Sequence, residues 1–201
     1  MISRTPPRPL RRARAFGLAA LATLPATVSA DATVPVHPLA APEARDRPAR
    51  QAASCADTPG FSTLDFWVGE WDVLVGEEVV GANTIEKILD GCAVMEHWVD
   101  ATGAEGKSLF FYHPVTDTWK QVWVTESATQ VGGLKEKTLI ATFDDGGVRF
   151  QGEIPTPDVG SILDRTTLTP NPDGTVRQLI EISRDGESWQ TSFDAVYRRR
   201  E

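Results

Sequence analysis

After Phe61, turn-forming residues break the sequence nine times, roughly every ten residues, and this rhythm limits the fold more than any other feature. The breaks are Gly76-Glu77-Glu78, Asp90-Gly91, Thr102-Gly103, His113-Pro114, Gly132-Gly133, Asp144-Asp145-Gly146-Gly147, the stretch from Pro155 to Gly160, Asn171-Pro172-Asp173-Gly174 and Asp185-Gly186. Each offers glycine for a positive φ, or Asn, Asp or Pro for a tight turn. The segments between them are too short for helical crossovers, so neighbouring strands are expected to run antiparallel and to be joined by hairpins. Nine breaks predict about ten strands in an all-β sandwich or barrel. The one helical element expected is a short turn over residues 62–66, capped by Ser62 or Thr63, ahead of the first strand.

Alternation along a strand tells which side chains face inward. Trp71, Val73 and Val75 share one phase, opposite Glu70 and Asp72. Near the C-terminus, Trp189, Thr191, Phe193, Ala195 and Tyr197 alternate with Gln190, Ser192, Asp194 and Arg198. The middle strands are mixed. Glu96 is in phase with Trp98, Gln121 with Trp119 and Trp123, and Gln178 with Val176, Ile180 and Ile182. A polar group in a packed core is costly unless it is hydrogen-bonded. Polar residues that recur in the apolar phase therefore predict either a self-satisfied interior or a cavity where ligand or water meets them.

The N-terminal part reads differently. Arg4, Arg8, Arg11, Arg12 and Arg14 precede an apolar run from Phe16 to Val28 that ends in Val28-Ser29-Ala30. Pro25 interrupts the run, which is shorter than the roughly 20 residues of a membrane span, so residues 1–30 are expected to be a cleaved signal peptide. The ordinary secretory route is favoured over a twin-arginine one, because Arg14 stands where a small or polar spacer and then Phe are expected. Residues 31–60, rich in Ala and Pro and without an apolar face, read as a disordered tether, and residues 61–199 as one domain. The expected location is periplasmic or secreted, with no membrane insertion after cleavage.

The leader holds five of the 20 Lys and Arg and none of the 28 Asp and Glu, so the remainder is more acidic than the net charge of −8 implies. Such a surface repels phosphate backbones, which argues against nucleic acid and anionic membrane faces as partners. Cys55 and Cys92 are the only cysteines. In an oxidising compartment two cysteines in a small domain are most simply one disulfide. A lipid-modified Cys55 would have to lie directly after the apolar run, and it does not.

A short turn leading into Gly69-Glu70-Trp71 at the start of a β-meander resembles the opening of lipocalins and the wider calycin group. There the Trp closes one end of an up-and-down barrel and a late Arg packs across it, a role open here to Arg198 or Arg199. More specifically, the chain resembles a bacterial family of exported, functionally uncharacterised calycin-like proteins. The likeness runs through Phe66-Trp67-Val68-Gly69-Glu70-Trp71-Asp72-Val73, Gly81-Ala82-Asn83-Thr84-Ile85, Asp90-Gly91-Cys92 and Glu96-His97-Trp98. It continues through Gly106-Lys107-Ser108, Trp119-Lys120-Gln121-Val122-Trp123-Val124, Asp173 to Gln178 and Asp185-Gly186 to Tyr197. Where the family has Gly-Gly-Cys this chain has Asp90-Gly91-Cys92, a small departure at a turn. The resemblance implies an all-β antiparallel up-and-down barrel, export and a binding cavity, and it supports the Cys55–Cys92 pairing.

Several residues invite a chemical role, each with a plainer alternative. Gly103 to Ser108 superficially resembles a phosphate-binding loop, but a strand comes after it where a helix N-terminus is needed, which makes it a hairpin turn. His97 and His113 are the only histidines of the domain, with His37 in the tether. Either one is a candidate proximal ligand in a haem-binding barrel; otherwise no cofactor is expected. Glu96 and His97 are adjacent on a strand and point to opposite faces, so they do not share a metal. No serine sits in a nucleophile elbow. Catalysis would rest on Glu96 as acid or base, with Arg165 as its ion-pair partner or as an anion holder. Of the six tryptophans, Trp67 and Trp71 are assigned to the barrel base, Trp189 to the core, and Trp98, Trp119 and Trp123 to a pocket wall.

The expected function is binding of a small amphipathic or aromatic molecule in a cavity lined by Asn83, Glu96, Trp98, Ser108, Tyr112, Gln121, Trp123, Arg165 and Gln178. The alternatives are an enzyme using the same cavity through Glu96, a haem-binding barrel, and a solid-cored barrel that binds a partner through its outer face.

Overall fold

The computed structural model describes residues 54–157 and 160–201. The expected signal peptide over residues 1–30, most of the expected tether and His37 lie outside the described residues. The turn clusters divide the chain into ten strands: β1 (Gly69–Val75), β2 (Glu78–Ile88), β3 (Ala93–Asp100), β4 (Glu105–His113), β5 (Thr118–Thr125), β6 (Leu134–Thr142), β7 (Val148–Thr156), β8 (Gly160–Pro170), β9 (Val176–Ser183) and β10 (Gln190–Arg199). All nine clusters fall at strand junctions. Each strand pairs antiparallel with its sequence neighbours, and β10 pairs back on β1 to close an up-and-down barrel of the lipocalin-like kind. Closure leaves no edge of this sheet free, which is how the described residues, with ten strands and almost no helix among them, satisfy their backbone.

Three short 3-10 turns, Cys55–Asp57, Pro59–Ser62 and Asp65–Trp67, precede β1, in place of the single helical turn expected over residues 62–66. Their placement reflects side-chain hydrogen bonding. Pro59 opens the second turn with its preset φ. Ser62 and Thr63, expected as N-terminal caps, instead donate back to the carbonyls of Pro59 and Gly60 at 2.8 and 3.0 Å. Described structure thus extends ahead of Phe61, the expected start of the domain.

These turns plug one end of the barrel. Leu64, Trp67 and Trp71 are fully buried there. Trp67 meets Phe110 and Tyr197 edge-on at 5.5 and 6.0 Å, and Phe110 meets Phe150 at 5.5 Å. The indole N–H of Trp71 donates to the Trp67 carbonyl at 2.9 Å. The Arg199 guanidinium lies 4.5 Å over the Trp71 ring and donates to the Val68 carbonyl at 3.1 Å. Of the two arginines open to this role, Arg199 takes it because it shares the inward phase of Ala195 and Tyr197; Arg198 points out, 3.9 Å from Asp72. A Cys55–Cys92 disulfide ties the first turn to the β2–β3 hairpin across 37 residues. Crosslinks over loops of this size contribute about 2–4 kcal/mol, chiefly by restricting the unfolded chain.

One strand departs from its expected phase. The β9–β10 register shifts between Thr191 and Phe193, so Phe193, Ala195 and Tyr197 face inward while Thr191 is exposed. Such a bulge inverts the facing of everything before it. Trp189, expected in the core, is therefore outside the barrel, where its indole N–H donates to the Gly186 carbonyl at 3.2 Å.

Candidate functional site

Beyond the aromatic plug the interior turns polar. Asn83 on β2, Glu96 on β3, Ser108 on β4 and Gln121 on β5 all point inward and form one chain of hydrogen bonds. Asn83 Nδ2 donates to Glu96 Oε1 at 2.8 Å, Ser108 Oγ donates to Glu96 Oε2 at 2.6 Å, and Gln121 Nε2 donates to Ser108 Oγ at 2.9 Å. Asn83 Nδ2 also reaches the Tyr197 hydroxyl at 3.3 Å, and that hydroxyl donates to Gln178 Oε1 at 3.0 Å. Burial pushes the Glu96 carboxyl above its ordinary range, opposed by the bonds from Ser108 and Asn83 and by the charge of Lys137. Burial likewise raises the Tyr197 phenol, so it stays a neutral donor.

Across the barrel lies a group that the sequence pattern did not reveal. Lys137 on β6 donates to Asp164 Oδ1 and, at 2.6 Å, to Thr166 Oγ1, both on β8. Lys135 donates to Asp164 Oδ2 at 2.8 Å. Lys137 is 5 % exposed and Asp164 1 %, so this ion triad sits inside the barrel and not on its surface. Burial pushes the Lys137 ammonium down to about 8 and the like charge of Lys135 adds to the effect, while Asp164 and Glu96 pull the other way. The signal is present in the alternation: Lys135 and Lys137 are in phase with Leu139, and Asp164 with Thr166 and Leu168. Leu134 and Ile140 obscure it, because these apolar residues occupy the outward phase of β6 and are each 53 % exposed.

Between this polar belt and the end of the barrel opposite the plug is a cavity of about 320 Å³. Trp98, Trp123, Ile180 and Phe193 form its apolar wall, and Glu96, Gln121, Lys135, Lys137, Thr166 and Gln178 its polar boundary. Two glycines make room for the wall. A Cβ on Gly81 would lie 2.5 Å from the Trp98 ring, and one on Gly106 would lie 2.5 Å from the Trp123 ring. Each indole thus rests against the backbone of a neighbouring strand, a known use of glycine in sheets.

Of the nine residues expected to line a cavity, the structure places Glu96, Trp98, Gln121, Trp123 and Gln178 on this one. Asn83 and Ser108 stand behind it and fix the Glu96 carboxyl. Two residues lie elsewhere. Tyr112 shares the inward phase of Ser108 but sits at the plugged end, where it packs on Phe61 at 4.9 Å and donates to Asp117 at 2.6 Å. With Trp119, also expected on the pocket wall, it borders a separate pocket of about 290 Å³.

Arg165 faces outward, because Asp164 and Thr166 hold the inward phase of β8. It pairs with Glu181 through bonds of 2.7 and 3.0 Å and lies 3.9 Å over Trp189. The cation that acts on Glu96 is therefore Lys137, in place of the expected Arg165. His97, out of phase with Glu96, meets Glu105 at 2.8 Å, and His113 accepts from the Thr116 N–H at 3.3 Å. Neither histidine borders the cavity, so the haem alternative has no proximal ligand there. Among the described residues no group of three His, Cys, Asp or Glu side chains is placed to hold a metal. No family model matches the chain, and no curated protein matches it.

Proposed function

We propose that the chain is an exported calycin-like binding protein that takes one small, partly apolar molecule into the cavity between the polar belt and the Trp98–Trp123 wall. The cavity itself carries this reading. At about 320 Å³ it falls at the small end of the roughly 300–1,000 Å³ typical of ligand sites, and it combines flat aromatic walls with a few fixed polar groups. A solid-cored barrel that binds only through its outer face has no need of such a space. The disulfide supports export, since these bonds persist in oxidising compartments. The size favours a compact ring system over a long lipid tail.

Calorimetric titration with small aromatic amphiphiles, naphthol and naphthoate, tests the reading. One site per chain is expected, weakened on the order of tenfold or more in Ile180→Trp. That substitution fills the cavity and leaves the hydrogen-bonded belt and the ion triad in place. Unchanged affinity in the filled variant, or no binding of either compound to the native chain, would contradict it.

A further inference from the structure

The charges inside the barrel are unevenly paired. Lys135 and Lys137 share a single carboxylate, Asp164, each holding a different oxygen. The other interior carboxyl, Glu96, gives both its oxygens to Asn83 and Ser108 and bonds to neither lysine. Burial also disfavours its charged form. Two ammonium groups at the cavity boundary thus share one directly bonded carboxylate.

Donors remain as well. An ammonium has three N–H bonds, of which Lys137 uses two, on Asp164 and Thr166, and Lys135 uses one, on Asp164. Both lysines border the cavity. This pair of lysines at the cavity runs against the rest of the molecule, whose net charge is −8, so it is a local property of the cavity and not a spill-over from a basic chain.

We propose that the cavity selects a ligand with a single negative charge, a carboxylate-type head seated at Lys135 and Lys137 with its apolar body against Trp98, Trp123 and Phe193. This rests on the binding function proposed above and names the chemical class of the ligand. A monoanion sets one charge opposite the two ammonium groups; a dianion would bring a second charge into a site walled by aromatic rings, where unpaired charge is costly. A cationic head finds no free partner, because Asp164 and Glu96 are both engaged. Charge-assisted hydrogen bonds in such a place are among the strongest non-covalent contacts available to a small ligand.

Matched probes test it: naphthoate against its neutral counterpart naphthamide, and naphthyl phosphate as the dianion, titrated into the full chain and into Lys135→Met and Lys137→Met. In the native chain naphthoate should bind tighter than naphthamide by on the order of tenfold or more. Each methionine variant should lose most of that preference, the ratio of naphthoate to naphthamide affinity falling toward one, and a cooperative denaturant transition shows that the variant is folded. Equal binding of naphthoate and naphthamide by the native chain overturns the proposal and leaves the binding function standing. A preference that survives both variants, or tighter binding of the phosphate, overturns it too. If none of the naphthalene compounds binds, the binding function falls and the proposal with it.

Discussion

Asp164→Asn should destabilise the barrel by about 3–5 kcal/mol near pH 7, the cost typical of removing one member of a buried ion pair. Asp164 is 1 % exposed and binds two lysines, so its loss leaves the Lys137 ammonium buried without a counter-charge and Lys135 beside it. The loss should depend on pH in a defined direction. Lys137 already titrates near 8 in the folded chain, below its ordinary value, so the folded state binds that proton less readily than the unfolded chain does. As pH rises through about 8 the native lysine becomes neutral, and in the variant, which lacks the Asp164 charge that holds its pKa up, it does so at lower pH still, so above about 8 the difference between the proteins should shrink.

Denaturant unfolding at about pH 6 and about pH 9 measures this, with the larger destabilisation expected at the lower pH. Adding Lys137→Met to the variant should recover a good part of the stability, because a buried charge is harmful mainly when it is unpaired. A change under about 1 kcal/mol that ignores pH would show that water reaches the triad freely.

Trp71→Ala is expected to cost about 3–5 kcal/mol as well, by a different route. The ring is wholly buried, its N–H holds the Trp67 carbonyl, and Arg199 covers its outer face. Removing it opens a cavity under the plug and strips Arg199 of a cation–π partner worth roughly 0.5–1 kcal/mol. The ligand cavity lies beyond the polar belt, toward the opposite end of the barrel, so affinity for naphthoate in the variant that remains folded should change little. Unfolding by heat or denaturant reads the first effect and titration the second. Stability within about 1 kcal/mol of the native chain would mean that the Gly69-Glu70-Trp71 motif does not close the barrel.

The barrel is legible in the sequence because its determinants are local. Asp173-Gly174 or Gly132-Gly133 makes a turn wherever it stands, and a period of two shows a strand its inner face without reference to any partner. The same local rule finds Glu96, Gln121 and Gln178, each in phase with a tryptophan or an isoleucine. It fails where long-range geometry decides. Tyr112 is in phase with Ser108, but only the assembled barrel reveals that it lies at the plugged end. Arg165 suits Glu96 by charge, yet the inward phase of β8 belongs to Asp164 and Thr166. Lys137 escapes notice because lysines are almost always solvated and because exposed Leu134 and Ile140 imitate an inward face. Trp189 is misplaced by one bulge, an insertion that alternation does not announce.

The tryptophans themselves supply the most direct test of the cavity. Trp98 and Trp123 border it, Trp119 borders the pocket at the plugged end, Trp67 and Trp71 are in the plug, and Trp189 is outside the barrel. Indole N–H resonances tracked by NMR during titration with naphthoate therefore report location as well as binding. If the ligand enters between the belt and the Trp98–Trp123 wall, the signals of these two residues shift together and saturate together while those of Trp67, Trp71 and Trp189 stay in place. Shifts confined to Trp119 or Trp189, or no shift at all, would contradict a ligand site there.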